Sequence, residues 1–254
     1  MEELLLQYFD AFSNLYGIIS MKKAYRIIEK QNPELNLTKE WFAEIVNSLD
    51  MDGKFYAILS EDKVYNEDAE DCGLFDKLLI ADYVLTFGDS EDYEKLVCEQ
   101  ADRPYYVPEK NELLKYADDF YYEKTKYFYE FEYYLRDELG LTNSEGLAED
   151  FAGMLLIDDY NSDEVVSTLK EFSRSKFKGF ANNEQAQKFF MLYINLRNHT
   201  RKHSHRGHTP FELDDCDEID SFSIKASIPS KNGKCPCGSG KKFKRCCMGK
   251  GIYD

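Results

Sequence analysis

No proline stands between Pro108 and Pro210, and that gap constrains the fold more than any other feature of the sequence. Proline removes a backbone donor and clashes with the preceding helical turn, so a long stretch without one, dense in hydrophobic residues, is free to form successive helices. Leu113, Tyr116, Phe120, Tyr127, Phe131, Tyr134 and Leu135 recur at i, i+3, i+4 spacing and predict one helix over 113–139, ending before Gly140. Asn143 and Ser144 can cap a segment to Ile157. Asn161, with Glu164 three residues later, has the form of a capping box for a segment to Phe172, and Asn183 starts a further helix through Leu196. Thr209-Pro210-Phe211-Glu212 places a capping Thr, a first-turn Pro and a Glu at the third position, a strong local helix start.

The N-terminal residues 2–31 also run at helical spacing. Leu4, Leu5, Tyr8, Phe9 and Phe12 form one stripe, Ala24, Ile27 and Ile28 a second after Gly17, and Asn32-Pro33 stops the pattern. Thr38 precedes a third helix carrying Trp41, Phe42, Ile45, Val46 and Leu49. Beyond Asp52-Gly53, Lys54 to Leu59 and Lys63 to Tyr65 read as the strands of a hairpin joined at Ser60-Glu61-Asp62. Helices and a hairpin in this order predict a winged-helix-like unit over residues 1–68, followed by a helical body over 69–215. The chain is therefore expected to be mainly α, and at 254 residues with 43% hydrophobic and 15% aromatic content it can bury a core of its own.

Charge divides the chain. Lys and Arg number 32 against 48 Asp and Glu, a net charge of −16, so the average surface repels nucleic acid and anionic membranes. From Lys225 onward, eight bases face the single Asp254, a surplus of +7 that leaves −23 for residues 1–224. Between body and tail, residues 216–233 begin acidic (Asp217, Glu218, Asp220). They continue with Phe222, Ile224, Ala226 and Ile228 at period two, the pattern of an extended linker or an added edge strand. No apolar run approaches the ~20 residues of a membrane span. Glu2 and Glu3 stand where a secretory leader carries Lys or Arg. A cytoplasmic protein without membrane insertion is the expectation.

The seven cysteines divide the same way. Cys72, Cys98 and Cys216 are scattered, whereas Cys235, Cys237, Cys246 and Cys247 stand together. Two close pairs flank Gly238-Ser239-Gly240-Lys241-Lys242-Phe243-Lys244-Arg245, in which Phe243 is the only large apolar residue. Such a segment has no core, but Zn²⁺ held by four thiolates at ~2.3 Å organises chains of this kind. The glycines permit a tight knuckle, and the bases offset the −2 charge that ~4 thiolates leave on one zinc while favouring the thiolate form. Two disulfides are the competing reading; reducing conditions and the strain of a vicinal Cys246-Cys247 bridge oppose it. A small zinc knuckle over 234–250 is the result.

The run from Asn232 to Cys247 resembles the SEC-C motif, the zinc-binding tail of the SecA translocase ATPase, which also occurs on otherwise unrelated bacterial proteins. The family's Cys-x-Cys-x8-Cys-(His or Cys) ligands fall on Cys235, Cys237, Cys246 and Cys247, and the Pro236, Gly238-Ser239-Gly240 and Lys positions agree. The resemblance implies zinc and a docking surface of the kind the translocase offers to a chaperone and to ribosomes. Lys241, Lys242, Lys244 and Arg245, with Phe243 as apolar anchor, are then the candidate partner-binding residues. ATPase chemistry does not follow, because the body lacks a Gly-x-x-x-x-Gly-Lys-Ser/Thr loop.

All four histidines lie between Asn195 and Pro210, in the one basic, acid-free patch of the body. Arg197, His199, Arg201, Lys202, His203, His205 and Arg206 are thus candidates for polyanion contact. A metal site would use His199 and His203 at i, i+4, closed by His205 or His208; the absence of an acid and the adjacent cations weigh against it. A polar turn between helices is the third reading. On the 113–139 helix, Tyr121, Tyr122, Tyr129 and Tyr133 lie off the apolar stripe, from burial on two sides or as a partner-binding face. The third N-terminal helix carries Glu40 and Glu44 against Lys39, a poor surface for DNA. These readings predict a non-enzymatic zinc-binding interaction or adaptor protein whose tail docks onto a ribosome, protein-export, chaperone or quality-control partner. The alternative is a nucleic-acid-associated regulator using the His/Arg segment and the basic tail.

Overall fold

Helix α1 (Glu2–Tyr16) buries Leu5, Tyr8, Phe9, Phe12, Leu15 and Tyr16 along one side. Gly17, at φ +68°, ends it. Strand β1 (Ile18–Ser20) follows at once, so the two stripes over 2–31 are two helices, as the break at Gly17 predicts, with a strand between them too short for its alternation to register. The Ser20 hydroxyl caps α2 (Met21–Gln31) by accepting from the Lys23 N–H, and Thr38 caps α3 (Lys39–Ser48) in the same way through the Trp41 N–H. Next come β2 (Tyr56–Leu59), α4 (Glu61–Tyr65) and β3 (Leu78–Ala81). The three strands form one antiparallel sheet in the order β1-β3-β2, with Ile18 opposite Ile80 and Ile58 opposite Leu79.

Helix, strand, helix, helix, strand, strand, with the last strand in the middle of the sheet and the short α4 set between β2 and β3, is a winged-helix-like arrangement. The hairpin partner of β2 is β3, however, and not residues 63–65. Those continue α4, whose first turn carries Glu61 and Asp62, acids favoured at a helix N-terminus. The unit consequently extends well past residue 68.

The computed structural model describes residues 1–88, 90–119, 121–157, 160–174, 176–216 and 241–245. The chain divides into two units: Met1–Tyr121 with Arg201–His208, and Tyr122–Thr200 with the residues from Thr209 onward. α5 (Glu91–Gln100) and α6 (Lys110–Leu113) complete the first. In its core Phe9 meets Phe42 and Tyr56 edge-on, with ring centroids 6.3 and 6.4 Å apart.

The second unit holds α7 (Lys126–Asp137), α8 (Ser144–Ile157), α9 (Ser162–Phe172) and α10 (Asn183–Asn198). The single helix expected over 113–139 is broken. Leu113 ends α6, a 3₁₀ turn covers Leu114–Ala117, and the Thr125 hydroxyl starts α7 by accepting from the Phe128 N–H. The two halves of the predicted stripe serve different cores: Leu113 and Tyr116 pack in the first unit, Phe131, Tyr134 and Leu135 in the second. Phe131 lies 5.5 Å from both Phe151 and Phe189. Both arms of the Asn161–Glu164 capping box are formed, and Asn182, one residue before the expected start, caps α10. Thr209 and Glu212 also exchange their capping bonds, yet only a 3₁₀ turn (Phe211–Leu213) follows before Asp214 turns left-handed. Among the described residues no helix is long and apolar enough to cross a membrane. The linker beyond Cys216 and the four clustered cysteines lie outside the described residues.

Candidate functional site

The histidine segment begins where α10 stops. The Thr200 hydroxyl donates to the Leu196 carbonyl at 2.8 Å, closing the last turn. His199 therefore shares no helix face with His203. Its ring stacks on Tyr127 at 3.6 Å and on Phe211 at 4.9 Å, and its Nδ1 donates to the Asn195 carbonyl at 2.8 Å.

Arg201–His208 then folds upon itself within the first unit. The Lys202 N–H donates to the His208 carbonyl, the His205 and Gly207 N–H groups to the Lys202 carbonyl, and the Arg206 N–H to the His203 carbonyl, at 2.9 to 3.2 Å. The loop is held from outside by Gln100, buried and fixed by a single amide that donates to the Tyr16 carbonyl at 2.7 Å and to the His203 carbonyl at 2.8 Å. Arg206 donates to the Arg103 carbonyl at 2.6 Å, and the Tyr106 N–H returns a bond to the Arg206 carbonyl at 3.0 Å.

His203 sits at the centre. Its Nε2 lies 3.0 Å from the Asn14 carbonyl, which can only accept, so Nε2 carries the proton. Nδ1 accepts from the Tyr83 hydroxyl at 2.6 Å. Burial disfavours the imidazolium and holds the pKa down at about 4, only partly opposed by the Asn14 bond. Two glycines make room. A Cβ on Gly17 would stand 2.9 Å from the His203 Nδ1, and one on Gly207, at φ +82°, 2.9 Å from the Tyr16 ring.

A neutral histidine with both nitrogens engaged is neither a base nor a metal ligand. The candidates for polyanion contact are unequally exposed in this arrangement. Lys202, His203 and His205 are buried. Arg201 lies over the Tyr106 ring at 3.5 Å and donates to the Gly207 carbonyl, and Arg206 lies over Tyr105 at 4.7 Å. Arg197 and His199 are half-buried. A run that is basic by composition is here a loop held by its own backbone bonds and by Asn14, Tyr83, Gln100 and Arg103. Sequence reasoning missed Asn14, Tyr83 and Gln100, which are far from it along the chain; the only local trace is Gly207. Among the described residues no three His, Cys, Asp or Glu side chains are placed to hold a metal.

In the tail, Lys241, Lys242, Lys244 and Arg245 are exposed, and a 3₁₀ turn over Phe243–Arg245 is closed by the Arg245 N–H donating to the Lys242 carbonyl at 2.8 Å. The described tail thus presents its cations to solvent, whereas in the histidine segment Lys202 is buried and Arg197, Arg201 and Arg206 are half-buried.

The SEC-C motif model matches residues 232–249. The chain is 32% identical over 91 residues to the protein translocase subunit SecA of Helicobacter acinonychis, covering 35% of this chain and 10% of that protein. To the SecA of Ehrlichia chaffeensis it is 38% identical over 78 residues, 31% of this chain and 8% of the relative. The chain thus spans about a tenth of the length of the curated relatives it matches. No solved structure matches it. The donor set fits one metal in particular: two close thiol pairs, with no carboxylate between them, are what a tetrahedral thiolate Zn²⁺ site uses. The tail thus matches the SEC-C motif over residues 232–249, and the family model leaves residues 1–231 uncovered.

Proposed function

We propose that this chain is a non-enzymatic cytoplasmic interaction protein that binds one zinc ion through Cys235, Cys237, Cys246 and Cys247 and docks its tail onto a ribosome, protein-export or quality-control partner. The observation that carries the reading is the SEC-C match over 232–249, a cysteine quartet enclosing an exposed row of cations. Zinc would fix the fold of a segment without a core. Lys241, Lys242, Lys244 and Arg245 supply attraction to an acidic protein surface or to ribosomal RNA, and Phe243 supplies apolar contact. A tail of this size buries little area, so affinity is modest and falls with salt. The alternative, a nucleic-acid regulator using the histidine segment, loses support from the internal bonding of that segment.

Metal analysis of the full chain is expected to give one zinc per molecule, and Cys237→Ser is expected to lose it while the helical signal stays, because the body has its own cores. Ribosome co-sedimentation and capture by export components, compared between the two proteins, test the docking. Equal binding by the zinc-free variant would defeat the tail as the docking element.

A further inference from the structure

Helix α3 presents a surface that its topological role does not explain. Phe42, Ile45 and Val46 face the core, while Glu40, Trp41, Glu44, Asn47 and Ser48 are all exposed. At 3.6 residues per turn these five occupy one side of the helix. Trp41, the chain's only tryptophan, is 39% exposed although a residue of its size is ordinarily well covered. Lys39, the helix's one base, stands over the Phe75 ring at 5.6 Å. The exposed side therefore carries an indole and two carboxylates with no cation among them.

In winged-helix units the corresponding helix is the one offered to a nucleic-acid groove. Here Glu40 and Glu44 would meet phosphate with like charge, the costliest arrangement for a duplex-binding surface. The complementary occupant is cationic. Tryptophan is the strongest side-chain acceptor for an ammonium or guanidinium over its face, and carboxylates beside it would pair with the same groups.

We propose that the exposed side of α3, Trp41 between Glu40 and Glu44, docks a Lys/Arg-rich polypeptide segment of a partner protein. The site is independent of the zinc tail, so either reading can fail alone. Electrostatics sets register and encounter rate, and the indole provides the desolvated centre.

Trp41 is its own reporter. Titrating the full, zinc-loaded chain with a tryptophan-free, Lys/Arg-rich dodecapeptide should shift the indole emission saturably, whereas an acidic peptide of equal length or a duplex oligonucleotide should not. Anisotropy of the labelled basic peptide then compares two charge-matched variants: Glu40→Gln with Glu44→Gln, and Glu2→Gln with Glu3→Gln on the exposed start of α1. The first should raise Kd at least tenfold and the second less than twofold. Trp41→Ala, checked for unchanged circular dichroism, should also raise Kd at least tenfold. Equal weakening by the two glutamine pairs would reduce the effect to the body's overall negative charge and overturn the proposal. So would absence of peptide binding, or an emission shift with the oligonucleotide instead.

Discussion

The two units bury aromatic side chains by different means. In the first, the core is rich in tyrosines whose hydroxyls bond to residues of other segments: Tyr16 donates to the Tyr106 carbonyl at 2.6 Å, Tyr25 to the Leu37 carbonyl at 2.9 Å, and Tyr8 to the Gln31 side chain at 2.9 Å. Burial pushes the Tyr16 hydroxyl pKa up, keeping it a donor at any ordinary pH. In the second, phenylalanines dominate, and Phe189 alone meets the rings of Phe131, Tyr134, Phe180, Phe190 and Tyr193. A phenylalanine core is specified by helical periodicity and tolerates any loop path that brings the stripes together. A tyrosine core also constrains where the loops run, because most buried hydroxyls take an acceptor.

The sharpest way to break this contrast is Phe189→Ala. Removing a fully buried ring from the centre of the second core is expected to cost about 3–5 kcal/mol, read from chemical denaturation. Should the loss be under ~1 kcal/mol, the second unit would not depend on its aromatic packing. Gly207→Val comes next, at roughly 2–3 kcal/mol from the positive φ and the contact with Tyr16. Amide exchange should show the loss around residues 14–20 and 100–106, not in α8 and α9, although Gly207 follows both in sequence.

A third test uses pH. His203 has its pKa lowered from 6.5 to about 4 in the fold, so between these values the unfolded chain binds a proton that the folded one refuses. Stability therefore rises with pH through this window. Between pH 7.5 and pH 5 the native state should lose on the order of 2 kcal/mol from this group. The urea midpoint of His203→Gln should lack that portion of the slope, and an unchanged slope would remove His203 as the origin. The smallest effect is expected at Asn161→Ala, about 1 kcal/mol from the lost capping box, with faster amide exchange confined to the first turn of α9.

Legibility in the sequence follows the same contrast. Asn161, Ser144 and the neighbourhood of Asn183 announced the helices of the second unit because a cap and a stripe are signals within a few residues. In the first unit, β1 is only Ile18–Ser20 and acquires meaning by pairing with Leu78–Ile80, which no local pattern encodes. Lys63–Tyr65 looked like a strand because its partner had to be sought nearby. The break between Ala117 and Thr125 was hidden by an apolar stripe that runs on across it. As for the site, the candidate zinc ligands stand out by their spacing but lie outside the described residues, whereas the histidine segment can be read locally as a polar turn but its partners Asn14, Tyr83 and Gln100 cannot. Basic residues read as a surface until their acceptors are known.

The return of Arg201–His208 to the first unit also sets a timetable for synthesis. When Tyr121 has left the ribosomal tunnel, the first unit still lacks the loop that takes up the Gln100 amide and the Tyr83 hydroxyl, and it cannot close until residue 208 has followed. At ~5–20 residues per second that interval lasts on the order of ten seconds, while all four helices of the second unit emerge with every segment of their core present. The core of the first unit is thus begun before the helical core of the second and closed after it, and through that interval the nascent protein carries an open tyrosine core that must be kept from other chains.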